Sequence, residues 1–442
     1  MIRTIIERRR HDETAEDAED GEGFEKMKNG WKQMTIAEAA EVLMGQSPSS
    51  NFYNTGGDGL PFFQGKADFG LLYPLPSKWC TQPLRKAVRH DILVSVRAPV
   101  GDVNLSSSEC CIGRGLAALS CKKHTNPFFL FYLLLLSREE IEKHGTGTTF
   151  KSINKKVLES FEVSLPPLPE QKKIAAVLLK IQQAIRMQEK IIQSLRDLKK
   201  STMHHLFTHG LRGEKTKMTE IGEIPESWEM VQLGELCQEG SSGAIQTGPF
   251  GSQLHASDYQ ATGVPVVNPT HMLNNEVIHE GIPRVNEENA KRLVRHALEV
   301  GDILFARRGE IGRHALINKE EAGWLCGTGC FLVRIRSSRV ENDFISWCLY
   351  TSQSQEWLLA HAAGSIMPNL NNRILRACPV AFPKLAEQRR ITETLNRIGG
   401  KLSLHKSKKS GLQDVFKTTL NKLMTGEIRV GNLDIDVSEV EV

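Results

Sequence analysis

The feature that most constrains this chain is a long apolar seam that occurs twice. Between Leu165 and Gly213 the text begins LPPLPEQKKIAAVLLKIQQAIRMQEKIIQSLRDLKK, with Ile174, Leu178, Ile181, Ile185, Ile192, Leu195 and Leu206 on one stripe. The spacings alternate fours and threes, with Gln188, Lys199 and Thr202 as polar interruptions. Such a heptad stripe predicts a long helix that needs another helix to cover it. Shifted by 217 residues, FPKLAEQRRITETLNRIGGKLSLHKSKKSGLQDVFKTTLNKLMTGEIR repeats the pattern without a gap. Ile391, Leu395, Ile398, Leu402, Leu412, Phe416 and Leu423 fall in the same register, and His405 repeats the break at Gln188. The covering helix is therefore expected within the same chain.

The text around these helices is duplicated as well. WKQMTIAEA at Trp31 returns as WEMVQLGEL at Trp228, and LPFFQG at 60–65 as VPVVNP at 264–269. HDILVSVRAPVG at 90–101 matches GDILFARRGEIG at 301–312, and NPFFLFYLL at 126–134 matches NDFISWCLY at 342–350. HGTGTTFKSINKKVL at 144–158 matches HAAGSIMPNLNNRIL at 361–375. The offset drifts from 197 to 217, as loop insertions in a shared framework require, and the period far exceeds that of solenoid repeats. Strands are expected at Leu60–Gln64, Asp91–Val96 and Gly115–Leu119, and a helix at Pro127–His144. Glycine at 210 or 213 is the expected left-handed stop of the first long helix.

At 442 residues the chain is too long for one core. Apolar content of 40% and charged content of 24% are ordinary for a globular protein. Nine scattered cysteines and no apolar leader in MIRTIIERRRHDE predict reduced thiols in a cytoplasmic protein. The run Phe128–Leu136 is far shorter than the roughly 20 residues of a membrane span, so a buried helix is expected. The net charge of +4 conceals a pattern: residues 1–26 and 427–442 each carry −4, leaving +12 on 27–426. That excess suits a polyanion partner. Eight acids and no base between Asp12 and Glu25 predict a disordered, solvated extension over 1–26.

Catalytic motifs are missing. Asn268-Pro269-Thr270-His271 is a poor version of the Asn-Pro-Pro-aromatic motif of amino-methyltransferases, without its second proline or its stacking aromatic. Glu170-Gln171-Lys172 looks like the end of a nuclease Glu-x-Lys motif, but it opens a helix, where an acidic first turn suits the dipole. Its copy, Glu387-Gln388-Arg389, replaces the lysine. The turn Gly145–Thr149 lacks the lysine of a phosphate-binding loop, and Cys326 and Cys330 lack a second ligand pair for zinc. His204 and His205 are adjacent on a helix and point about 100° apart. No catalytic residue, no metal site and no bound cofactor are expected.

Recognition chemistry is present. Each globular segment has a strand running into basic, glycine-rich text: Arg97 onward in the first, Arg307-Arg308 to Arg313 in the second. Arginine forks bond phosphates or the O6/N7 edge of guanine. Each also has an earlier polar loop, 45–53 and 246–253, whose hydroxyls and amides suit base edges or phosphates. The candidate DNA-contacting set is Gln46, Ser47, Ser49, Tyr53, Lys66, Arg97 and Arg114, then Thr247, Ser252, Gln253, Asn268, His271, Arg307, Arg308 and Arg313. Exposed turn loops would account for any one of these residues equally well. Lys172, Lys173, Lys180, Lys190, Arg389, Arg390, Lys408 and Lys409 on the helices fit a solvated face, a partner face or a DNA-facing stripe.

LPPLPEQKKIA with its copy FPKLAEQRRIT, TEIGEIPESWE at 219–229, TGPFGSQLH and GDILFARRGEIGRHAL together resemble the specificity subunit of Type I restriction–modification systems, over Trp31 to about Arg429. The resemblance implies an α+β chain with a pseudo-twofold repeat. Two α/β target recognition domains (27–165 and 228–383) would be separated by two antiparallel coiled-coil spacer helices (166–213 and 384–426). An acidic extension (1–26), a linker (214–227) and an acidic tail (427–442) complete the expected organisation. It further implies double-stranded DNA, two modification (methyltransferase) subunits and restriction subunits as partners, with S-adenosylmethionine, ATP and Mg on those partners. A helix of about 37 residues rises roughly 55 Å, against roughly 34–36 Å per turn of DNA, enough to set a gap between half-sites. A self-sufficient methyltransferase or nuclease and a protein-only coiled-coil scaffold are the competing readings.

Overall fold

The structure, a computed structural model, describes residues 30–145, 151–237, 244–362 and 369–442. The acidic extension and most of the 145–149 turn lie outside them. The chain divides into two compact units, residues 1–188 with 408–442, and residues 189–407.

The unit containing the N-terminus has a four-stranded sheet in the order Ala40–Met44, Leu116–Cys121, Ile92–Ser95, Val103–Leu105. Leu119 stands between Val42 and Ile92 in its antiparallel register. A second sheet joins Leu60–Phe63 in parallel to Cys110–Ile112, a pairing that needs a crossover rather than a hairpin. The other unit repeats this plan. Its first sheet runs Ile245–Thr247, Cys330–Val333, Ile303–Ala306, His314–Leu316. Its second pairs Val264–Val267 in parallel with Leu325–Cys326. The drifting sequence repeat is thus a repeat of topology.

Strands form where Leu60–Gln64, Asp91–Val96 and Gly115–Leu119 were expected, to within a residue or two. The helix expected over Pro127–His144 is two helices, Pro127–Leu136 and Arg138–Lys143, broken at Ser137 with ψ near 6°. Asn126 caps the first through its Oδ1 on the Phe129 N–H, 3.1 Å, and Pro127 takes the first helical position. PFFLFYLLLL is apolar all round, so it forms a buried helix rather than a surface one.

Each long helix is launched from a strand clipped to the start of its own unit. Lys32–Thr35 pairs with Glu162–Leu165 just before the first helix, and Glu229–Gln232 pairs with Pro379–Phe382 just before the second. The helices are Leu168–His209 and Leu385–Met424, 42 and 40 residues. Gly210, at φ +68°, ends the first. Every expected seam residue is buried or half-buried. In one unit Ile174 and Leu178 share a core with Leu420, Leu423 and Met424 from the end of the second helix. In the other, Leu206 shares one with Ile391 and Leu395. In each unit the pair therefore runs antiparallel. Ala175, Ala176 and Leu179 are buried as well, so the helix covers a globular body in addition to its helical partner.

At the base of each helix sits a buried glutamine. The Oε1 of Gln171 accepts from Asn126 N–H (2.8 Å), and its Nε2 donates to the carbonyls of His124 (3.1 Å) and Pro166 (2.8 Å). The Oε1 of Gln388 accepts from Glu341 N–H (2.9 Å), and its Nε2 donates to the carbonyls of Arg339 (2.9 Å) and Pro383 (2.8 Å). The Glu-Gln-basic text is therefore a pin, and its nuclease-like appearance has a structural cause.

Two polar segments pack against the globular bodies. The linker 214–227 contains a hairpin, Thr216–Thr219 with Gly222–Pro225, that buries Ile221 and Ile224 in the core of the unit 189–407. Polar composition hid it, because only Ile221, Ile224 and Pro225 of the segment are buried. The acidic tail is docked, with Val430 and Val440 buried and the Val440 carbonyl accepting from Asn126 Nδ2. Glu170 pairs with Arg429 through two 2.7 Å bonds. Lys172 reaches Glu441 (3.3 Å), Lys173 donates to the Gly431 carbonyl (2.7 Å) and Lys180 faces Asp436 (3.8 Å). These three lysines have intramolecular partners, and Arg389 pairs with Glu341.

Replacing Gln388 by leucine orphans one N–H and two carbonyls, and should cost at least about 2 kcal/mol in chemical denaturation. Arg429 holds the Glu170 carboxyl below the usual carboxylate range. That contribution to tail docking is complete above the ordinary range and lost as pH falls through the depressed value. Hydrogen exchange in 427–442 should accelerate only under such acid conditions, and Arg429→Gln should remove the pH dependence.

Candidate nucleic-acid interface

The two arginine-bearing strand ends occupy the same place in the two units. Val96 N–H donates to the Gly115 carbonyl and Val96 accepts from Ile153 N–H, while Arg97 bridges Ser152. In the other unit Arg307 N–H donates to the Gly329 carbonyl, Arg307 accepts from Leu370 N–H, and Arg308 bridges Asn369. Arg97 and Arg308 are therefore equivalent, and both are exposed. Among the described residues no carboxylate pairs with Arg97, Arg307 or Arg308.

In the first unit, Lys66, Arg97 and Arg114 line one depression of about 230 Å³ with Gln64. The hydroxyl of Ser47 accepts the Arg114 N–H at 3.1 Å, fixing the loop that carries the guanidinium. Ser95, almost fully buried, donates into the loop carbonyls of Arg97 (3.0 Å) and Pro99 (2.7 Å). Lys66 pairs with Asp102 at 3.0 Å. Gln46 and Ser49 are exposed on the neighbouring loop. Tyr53 faces inward: it stacks on Phe62 at 4.5 Å and donates to the Pro48 carbonyl at 2.7 Å. Burial raises its phenol pKa, so it remains a neutral loop brace.

In the second unit the candidates are less tightly grouped. Gln253 braces its own turn, its Oε1 accepting the Phe250 N–H and its carbonyl accepting from Arg292. That turn leaves Phe250 54% exposed, a presentation the sequence reading missed. Ser252 is exposed and Thr247 sits half-buried in a strand. Asn268-Pro269-Thr270-His271 is a short 3₁₀ turn in which His271 Nδ1 accepts the Asn268 N–H at 3.3 Å. Burial, partly opposed by a hydrogen bond with the Gly281 backbone, lowers the His271 pKa, consistent with that acceptor role. Arg313 pairs with Glu310 and donates to the Pro269 carbonyl, tying this turn to the 309–313 loop.

Close backbone contacts hold both loop sets. A Cβ on Gly45 would lie 2.2 Å from the Gly113 carbonyl oxygen, and one on Gly248 would lie 2.1 Å from that of Gly327. Gln64 was also missed, although the repeat aligns it with Asn268. Cys326 and Cys330 are buried, and the contact with Cys330 together with burial drives the Cys326 pKa well up, which makes Cys326 an inert thiol. His279, Glu320 and Glu321 bring one potential ligand atom each within 4.8 Å. Both Glu321 oxygens are committed, one to His279 Nε2 (2.7 Å) and one to the Asn318 N–H (2.8 Å), which makes the cluster a surface brace. Among the described residues no helix is long and apolar enough to cross a membrane. Gly248→Ala forces backbone against backbone and should cost about 1–3 kcal/mol, lowering the midpoint of thermal unfolding.

Residues 28–197 and 225–414 each match the family model of the Type I restriction modification DNA specificity domain. Over 173 residues the chain is 47% identical to the putative type I restriction enzyme MjaX specificity subunit of Methanocaldococcus jannaschii, covering 39% of this chain and 41% of that one. Over 319 residues it is 28% identical to the MjaVIII specificity subunit of the same organism, covering 71% and 72%. The solved Type I S subunit of M. genitalium is similar in fold, with a TM-score of 0.62 at 18% identity over 90% of this chain and 97% of that one. The match to the first relative thus reaches less than half of its length. With two copies of the domain covering most of its residues, the chain belongs to the Type I restriction-modification DNA specificity family.

Proposed function

We propose that this chain is the sequence-reading, non-catalytic subunit of a cytoplasmic Type I restriction–modification complex. Each globular body reads one half of a bipartite duplex site. The long helices set the spacing and dock two modification subunits, and restriction subunits join that assembly. S-adenosylmethionine, ATP and Mg belong to the partners. The observation that carries this reading is the equivalence of Arg97 and Arg308, each at a strand end beside polar loops that differ between the units. A common framework with divergent loops is what two readers of different half-sites require.

Guanidinium groups at Arg97 and Arg308 would bond phosphates or guanine edges, and the amides and hydroxyls of Gln46, Gln64, Ser252 and Asn268 would supply further contacts. The helices at about 1.5 Å per residue are long enough to span more than one turn of duplex.

Selection from a randomised duplex pool with the assembled complex should enrich a split motif. Exchanging residues 31–165 for the corresponding part of another family member should change one half only, and a change in both halves would sink the modular reading. A four-residue insertion in the first helix should widen the gap while keeping both halves. Arg307→Ala with Arg308→Ala should weaken duplex binding; an unaltered isotherm would favour a protein-only scaffold.

A further inference from the structure

A cleft of about 810 Å³ in the unit 189–407 lies between the long helices and the globular body, lined by basic side chains together with one carboxylate, Glu310, which pairs with Arg313. Arg196, Lys199 and Lys200 come from the first helix and Lys406 from the second. Among the described residues none of the four has a carboxylate within ion-pair distance. On one helix, side chains three and four residues apart stand about 5–6 Å from one another, so Arg196, Lys199 and Lys200 form a single basic row. The opposite wall carries Arg313 and the tip of the Met272–Val277 hairpin, where Asn274 and Asn275 both have positive φ. That wall continues directly into the 309–313 loop of the candidate interface.

The repeat treats the corresponding place in the other unit differently. The position equivalent to Lys199 is Phe416, whose ring packs edge-on against Tyr132 at 6.0 Å. Leu72 and Tyr73 pack against the same core, and Gln182 bonds both Tyr132 (2.7 Å) and the Leu71 carbonyl (3.1 Å). The space is filled there. In the unit 189–407 it is open, with Lys199 lying over the rings of Trp347 (4.4 Å) and Tyr350 (5.1 Å).

We infer that this cleft binds the phosphodiester backbone of duplex DNA, through Arg196, Lys200 and Lys406 with Lys199 held in place by the aromatic rings. The inference rests on the DNA-reading function proposed above and assigns part of the affinity to the spacer helices. The contacts are charge contacts without base information, so they add affinity equally on every sequence. The surface is one-sided: only the second half-site gains this support.

The test uses the full chain in its assembled complex, with Arg196→Gln, Lys200→Gln and Lys406→Gln combined, and leaves Lys199 in its packed position. Affinity for the selected duplex and for an unrelated duplex should fall by the same factor, about tenfold or more, and the slope of log K against log salt should drop by about 2.7. The enriched motif should be unchanged, and Lys319→Gln, outside the cleft, should leave the slope as it was. An unchanged slope in the triple variant overturns the inference, as does loss of motif preference without a change in slope. Binding of an acidic peptide of residues 12–25 that the triple variant loses, while keeping its duplex affinity, overturns it in favour of an acidic protein segment. Absence of any motif preference in the unaltered complex is a separate result, and it counts against the proposed function instead.

Discussion

The placement of each long helix depends on one buried amide. Gln171 and Gln388 each satisfy one N–H and two carbonyls at the point where a strand becomes a helix and a neighbouring helix begins. A buried amide with both N–H donors and its oxygen directed at backbone fixes both position and rotation, because any slip strands polar groups in an apolar core. The strand clips at Lys32–Thr35 and Glu229–Gln232 set where each helix leaves its unit. The glutamine sets which face it turns inward, and the apolar seam then finds its partner.

The two units share this frame but neutralise its buried charge differently. Asp91 and Asp302 hold the same position at the head of a central strand, and both are almost fully buried. Asp302 meets the guanidinium of Arg334 through bonds of 2.8 and 2.7 Å, which raises the arginine pKa further. At the equivalent position Asp91 meets the Ser120 hydroxyl instead of a guanidinium, and burial pushes its carboxyl above the usual range despite hydrogen bonds from the Val88 N–H and Ser120. A duplicated domain can thus keep its backbone while its polar interior diverges. Loops at the edge are freer still.

Much of the architecture was legible beforehand. The seam, its copy and the Trp31/Trp228 restart defined two similar bodies and two long helices, since heptad spacing and alternating strands are local patterns. The docked tail and the 214–227 hairpin were not legible. Each buries only a few side chains of a polar segment, Val430 and Val440 with Ile435 and Val437 partly covered in one, and Ile221, Ile224 and Pro225 in the other, too few to outweigh composition. The candidate interface divides in the same way. Strand ends placed Arg97 and Arg308, whereas Tyr53 and Gln253 proved to be braces, because the direction of a loop side chain depends on contacts distant in sequence.

The sequence by itself determined the duplication, the helical spacers and the basic strand ends, all of which follow from residue type at short range. Only the tertiary structure decided which polar residues face inward as pins and which face outward to solvent. It also decided that the equivalents of Lys199 and Phe416 sit in one open, cationic cleft and one filled core. Those outcomes depend on what fills the space opposite, and packing partners such as Tyr132 for Phe416 and Trp347 for Lys199 lie far away along the chain, beyond the reach of any local pattern.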